Sequence, residues 1–118
     1  RVVMADAIFR VGEKAFYGCM SLRTIHLCDK IEVIEESAFQ DCKRLNNIQL
    51  PKHLKHLEEG VFAQCIALRD LKLNDELQSI GNGAFYDCMA LEELQLPGQL
   101  KTIGEESFAN CKAHYEKK

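Results

Sequence analysis

The 118-residue sequence has no apolar run approaching the roughly 20 residues a membrane-spanning helix needs. It also lacks a charge excess of either sign. The 18 acidic and 15 basic side chains are spread along the chain and leave a formal net charge of −3, so the basic stripe of a nucleic-acid footprint is missing. There are no clustered C-x2–4-C pairs of the kind zinc sites use. No glycine loop is built to cradle phosphate, there is no cofactor motif, and no acid–base–nucleophile constellation appears. These absences predict a non-enzymatic protein without a cofactor or metal. The opening stretch "RVVMADAIFR" has neither the apolar core nor the cleavage site of a secretory leader. What is present is a globular composition, 47% hydrophobic and 28% charged, with room for one domain and a modest core.

The chain repeats itself. The words "AFYGC", "AFQDC", "VFAQC", "AFYDC" and "SFANC" end at Cys19, Cys42, Cys65, Cys88 and Cys111, each step being 23 residues without insertion or deletion. Superposed on their cysteines, the repeats separate into fixed apolar columns and free polar ones. Leu22/Leu45/Leu68/Leu91, Ile25/Ile48/Leu71/Leu94 and Leu27/Leu50/Leu73/Leu96 are apolar. So are Ile31/Leu54/Leu77/Leu100, Ile34/Leu57/Ile80/Ile103 and the phenylalanines Phe16/Phe39/Phe62/Phe85/Phe108. Between them Thr24/Asn47/Asp70/Glu93 and His26/Gln49/Lys72/Gln95 vary. A shared inside and a solvated outside describe stacked coils, since one coil of this length cannot bury its apolar side alone.

Each "LRTIHL"-type segment ends in a period-two alternation, which predicts a half-buried strand. Stacking sets these strands in a parallel sheet with Thr24, His26 and their counterparts outward. Arg1 and Val3 fall in the same outward columns, and Val2 and Met4 in the apolar ones. Pro51 and Pro97 follow two of the strands, where a missing N–H costs least. The pair Ile31 and Ile34, spaced by three, predicts a short extended or 3₁₀-like return. "EESAFQDC" reads as one helical turn, with Glu13, Glu36, Glu59 and Glu105 placed against the positive end of the helix. Gly12, Gly81 and Gly104 suggest a turn before it, although Glu35 and Glu58 occupy the same column.

The pattern L-x-x-[IL]-x-L-[P] followed by L-x-x-I-G-x-x-A-F-x-x-C resembles the BspA-like, or treponemal-type, leucine-rich repeat. The resemblance covers nearly the whole chain. It implies a leucine-rich repeat solenoid of about five coils, a right-handed α/β-type superhelix of short parallel strands and 3₁₀ or short helical turns, with a curved sheet on its concave side. It also implies a surface-exposed or secreted setting, often adhesive. The proline is replaced at Cys28 and Asn74, and at His114 and Lys117 the next leucines are missing. The expected solenoid therefore spans 1–113, with a polar tail at 114–118.

Five of the six cysteines belong to the repeat. A nucleophilic Cys42 needs a base beside it, yet no histidine or carboxylate recurs at a neighbouring inward column. Coils about 4.8 Å apart would send parallel side chains toward one another, a poor fit to disulfide geometry. A thiol that packs as a small hydrophobe and donates weakly to backbone carbonyls satisfies the pattern. Cys28 stands at a strand end, which predicts the most reactive thiol of the six. His53 and His56 form H-x-x-H on polar columns and read as surface residues rather than ligands. The glutamate column lacks the Asp/Asn/Gly loop of a calcium site. Phe9 replaces polar counterparts, and Met20, Ile66 and Met89 alternate with Lys43 in a rim column.

The candidate protein-binding surface is the concave face, with Thr24, His26, Asn47, Gln49, Asp70, Lys72, Glu93 and Gln95 outward. It grows acidic toward Asp70, Glu92 and Glu93, which suits a basic partner. Five strands offer roughly 300 Å², whereas a standard interface takes about 800 Å² from each partner. The expected function is a protein-binding or adhesion-type module within a longer surface or secreted array. The alternative is a structural spacer or intracellular scaffold repeat with no ligand of its own. No polar cap precedes "RVVMA", which predicts either further repeats upstream or end-to-end self-association through the first coil.

Overall fold

The computed structural model describes residues 2–3, 9–112 and 114–117, the first and last of these by backbone alone. The expected placements of Arg1 and Met4 lie outside the described residues. Strands are short: β1 (Val2–Val3), β2 (Arg10–Val11), β3 (Ile25–His26), β4 (Val33–Ile34), β5 (Asn47–Gln49) and β6 (His56–Leu57). They continue as β7 (Asp70–Lys72), β8 (Ser79–Ile80), β9 (Glu93–Leu96), β10 (Thr102–Ile103) and β11 (His114–Lys117). Every pairing is parallel, as stacked coils require.

The odd-numbered strands build one wall, in which β1 pairs with β3, β5 with β7 and β9 with β11. A single bridge from Thr24 to Asn47 joins β3 to β5. The even-numbered strands build a second wall, in which β2 pairs with β4, and β6, β8 and β10 form one ladder. The return segment after Ile31 is thus extended and sheet-forming. Partners stand 23 residues apart, Val2 opposite Ile25 and Asn47 opposite Asp70. The last pairing departs from this step.

Beyond Cys111 the backbone does not trail off as a polar tail. His114 stands opposite Glu93, and Tyr115 opposite Leu94, 21 residues back. A step of 23 places the polar His114 and Lys117 on apolar columns, after Leu91 and Leu94. The ladder needs only backbone N–H and C=O groups, which every non-proline residue carries.

The "AFxxC" segment is a third wall, and it is not helical: the described residues contain no helix. Local and cross-coil bonds alternate along it. Ala38 N–H donates to Glu35 O at 3.3 Å, Gln40 to Ser37 at 3.1 Å and Cys42 to Phe39 at 3.3 Å. In between, Ser37 N–H donates to Glu59 O at 3.0 Å, Phe39 to Val61 at 3.0 Å and Asp41 to Ala63 at 2.8 Å in the next coil. An α-helix would spend all of these groups within its own coil. Turns leave alternate ones for the neighbour.

The turns require left-handed backbone in two columns. Lys14, Ser37, Gly60, Gly83 and Glu106 form one, and Gly18, Asp41, Gln64, Asp87 and Asn110 the other, all with φ between 55° and 67°. A positive φ at the third residue of a four-residue turn is the mark of type II geometry. Without a helix, Glu13, Glu36, Glu59 and Glu105 have no dipole to complement. Their column serves through its backbone: the carbonyls of Glu36, Glu59, Asn82 and Glu105 accept the N–H groups of Lys14, Ser37, Gly60 and Gly83. That role is indifferent to the side chain, and Asn82 fills it as well as glutamate.

The core lies between the three walls. Phe39, Phe62, Phe85, Leu45, Leu68 and Leu91 are fully buried. The phenylalanines stack face to face along the axis, with centroids 5.2, 5.5, 5.7 and 5.3 Å apart and planes within 11°. This is offset-stacked packing, which adds to the burial of each ring. Gly81 and Gly104 are needed where coils press together. A Cβ at Gly81 would lie 2.8 Å from the Glu58 carbonyl carbon, and one at Gly104 2.8 Å from that of Gly81.

Candidate functional site

Strand pairing sets the predicted face in rows. Thr24, Asn47 and Asp70 stand side by side through the bridge and the β5–β7 register, and Gln49 stands beside Lys72. Alternation in each strand turns Ile48 inward and leaves Gln49 exposed, and likewise buries Leu94 between the exposed Glu93 and Gln95. His26 is exposed beside the buried Ile25. All eight predicted residues therefore lie on one face, with Thr24 and Asn47 half-buried and the other six exposed. Asn47 is oriented by its neighbour, its Nδ2 donating to Asn46 Oδ1 at 2.7 Å.

Two depressions mark this face. One, of about 420 Å³, is lined by Thr24, His26, Asp29, Asn47 and Gln49. The other, of about 700 Å³, is lined by Asn47, Gln49, Arg69, Asp70, Lys72, Ala90, Glu92 and Glu93. Arg69, Asp29 and Ala90 are additions that alternation could not supply, because they precede or follow the strands proper. Their signal in the sequence is proximity to a strand end, not periodicity.

The cysteines form a ladder along the turn wall. Four of its thiols donate to the phenylalanine carbonyl of the preceding coil: Cys42 Sγ to Phe16 O at 3.0 Å, Cys65 to Phe39 at 3.1 Å, Cys88 to Phe62 at 3.1 Å and Cys111 to Phe85 at 2.9 Å. Burial pushes the Cys42 thiol up to about 11 and the Cys65 thiol to about 12, and Cys88 is raised by the adjacent Cys111 thiol and by burial. Nucleophilic chemistry needs the thiolate, which these positions oppose. Cys28 is not the exposed thiol its strand-end position predicts. It is only 7% exposed and packs in the core, since the chain folds under the sheet directly after each strand, burying Pro51, Asn74 and Pro97 too. The half-buried thiols are Cys19 and Cys111, the ends of the ladder.

The remaining candidates separate. His53 Nδ1 lies 2.7 Å from Glu76 Oε2, and His56 Nδ1 lies 2.7 Å from Ser79 Oγ, each partner one coil away. Among the described residues no three His, Cys, Asp or Glu side chains are grouped to hold a metal. Glu76 also accepts from Lys55 Nζ at 2.7 Å, and the Lys55 and His53 hydrogen bonds hold its carboxyl below the usual range. Phe9 is 60% exposed, and Met20, Ile66 and Met89 form a half-exposed rim along the turn wall. No helix among the described residues is long and apolar enough to cross a membrane.

The sequence matches the model of the BspA-type leucine-rich repeat region over residues 1–114, in six copies. None of the curated proteins matches it. Among solved structures, a leucine-rich repeat protein from Bacteroides ovatus is 33% identical at a TM-score of 0.87, over 92% of this chain and 28% of its own. The Treponema pallidum leucine-rich repeat protein is likewise 33% identical at 0.87, over 91% of this chain and 52% of its own. A leucine-rich cell surface protein from Faecalibacterium prausnitzii shares the fold at a TM-score of 0.78 and 21% identity, over 98% of this chain and 38% of its own. This chain thus spans about a quarter to a half of the length of these neighbours. Proteins of this repeat type are generally non-enzymatic and mediate protein–protein contacts. Six repeat copies, a phenylalanine–cysteine spine and parallel short strands make the chain a member of the BspA-type leucine-rich repeat family.

Proposed function

We propose that the chain is a non-enzymatic protein-binding module that acts through its odd-strand face within a larger surface or secreted protein, in an adhesion-type role. The observation that carries this reading is the row of outward side chains from Thr24 to Glu93, which lines two adjoining depressions. Thr24, His26, Asn47, Gln49, Asp70, Lys72, Glu93 and Gln95 supply hydrogen-bonding groups of both signs, as a polar protein interface requires. The surface setting draws on the Faecalibacterium neighbour, itself described as a cell surface protein. Beads coated with the chain, applied to cultured epithelial cells, test it. Adhesion should fall at least fivefold for the double variant Gln49→Lys/Lys72→Glu and stay unchanged for Glu36→Gln on the turn wall. Equal adhesion by all three would leave the chain a spacer.

A further inference from the structure

The turn wall carries a groove of its own, of about 430 Å³, which Gly60, Gly83, Tyr86, Glu59, Glu105 and Glu106 line. No basic side chain lines it among the described residues, and none of the ion pairs among them uses these three carboxylates. Carboxylates alone would not make this a site, since Glu13, Glu35, Glu36 and Glu58 gather in the same way around a depression beside Val33 of β4. Tyr86 makes the difference, and the first coil shows how.

Lys14 and Tyr17 hold in the coil of Cys19 the positions that Gly83 and Tyr86 hold in the coil of Cys88. There the Lys14 Nζ lies over the Tyr17 ring, 5.7 Å from its centroid, within the range where the ring quadrupole attracts a cation. The later coil keeps the ring but not the ammonium, because Gly83 brings no side chain. A Cβ at Gly83 would meet only Tyr86 Cβ within 4 Å, at 3.9 Å, so the space beside the ring is open. The two turns share their left-handed backbone, with φ 56° at Lys14 and 60° at Gly83.

We propose that this groove is an ammonium-binding site, which takes a lysine side chain of a protein partner over the Tyr86 ring. The partner's ammonium occupies the place that Lys14 fills in the first coil. Glu59 belongs to the coil before Tyr86, and Glu105 and Glu106 to the coil after it, so carboxylates flank the ring on both sides. A compact ammonium with three rotatable donors can turn toward carboxylates on separate coils, whereas a planar guanidinium fork suits a single one. The site lies on a different wall from the strand face and stands without that reading.

The test is an NMR titration of the full chain at low salt with Nα-acetyl-lysine methylamide, using the norleucine analogue as a neutral control. Saturable shifts should concentrate at the Tyr86 ring and the Gly60 and Gly83 amides, and be absent with norleucine. Tyr86→Ala copies Ala63 and Ala109 of the same column and so leaves the coil intact. It should bind about two- to fivefold more weakly, the share of one exposed cation–π contact. Gly83→Lys copies Lys14, and should set its own ammonium over Tyr86 and abolish the shifts. An unchanged titration of Gly83→Lys, or no saturable shift up to the solubility of the amide, would overturn the site. Shifts centred on Glu35, Glu36 and Glu58 would overturn it too, since they need no ring. Shifts centred on Asp70 and Glu93 would overturn it and move the cation to the strand face.

Discussion

The turn wall and the odd-strand wall are made by the same repeats and stack the same coils, yet they behave differently. On the turn wall the bonding is unbroken from Lys14 to Asp87: every second N–H crosses to the next coil, every phenylalanine stacks, and four thiols donate across the same junctions. On the strand wall β3 and β5 share one bridge, and β7 and β9 do not pair. The difference follows from what each wall exposes. The phenylalanine and cysteine side chains of the turn wall point into a core that all coils share, so one solution serves every junction. Strand-wall side chains alternate, and their outward half meets solvent, where charge is free to change from Thr24 to Asp70 to Glu93. The first wall carries stability and the second carries variation.

The largest test of that contrast is Phe62→Ala, which opens the middle of the aromatic stack. It should cost about 3–5 kcal/mol by urea denaturation, the range for removing a buried phenyl ring. A comparable loss from Gln49→Ala would erase the distinction between the walls. Next comes Gly81→Ala, whose added methyl would collide with the backbone at Glu58 and Glu59. Overpacking of this kind costs about 1–3 kcal/mol, and thermal unfolding should show it.

A smaller effect of opposite sign is expected at Glu106, a non-glycine residue at φ 55°. Glu106→Gly should stabilise the chain by up to about 1 kcal/mol, since relief of left-handed strain exceeds the added freedom of the unfolded state. The smallest effect concerns Glu76, exposed and held by Lys55 and His53 across coils. Its folded pKa is depressed, so its contribution is present above the ordinary carboxylate range and is lost as pH falls through the folded value. Wild type and Glu76→Gln should differ slightly at pH 7 and converge as the pH falls below the ordinary carboxylate range.

The apolar columns were legible because their spacing is strict: Leu45, Phe39 and Cys42 each recur in place and each is buried. The outward face was legible for the same reason, as alternation about Ile48 and Leu94 dictates it. Three features were not. The type II turns escaped notice because Lys14, Ser37, Gln64 and Glu106 carry left-handed backbone without glycine, leaving only a three-residue spacing that mimics a helix. Cys28 misled because burial after a strand depends on where the chain turns, which periodicity does not encode. β11 was hidden by a coil two residues short.

Native-state hydrogen exchange resolved by residue would test the central contrast most directly. The turn-wall amides of Phe39, Phe62, Gln64 and Phe85 should exchange only on global unfolding. That of Leu71, on the edge of β7 that faces the unpaired β9, should exchange at least a hundredfold faster. Equal protection of the two walls, or slower exchange at Leu71 than at Phe62, would contradict it.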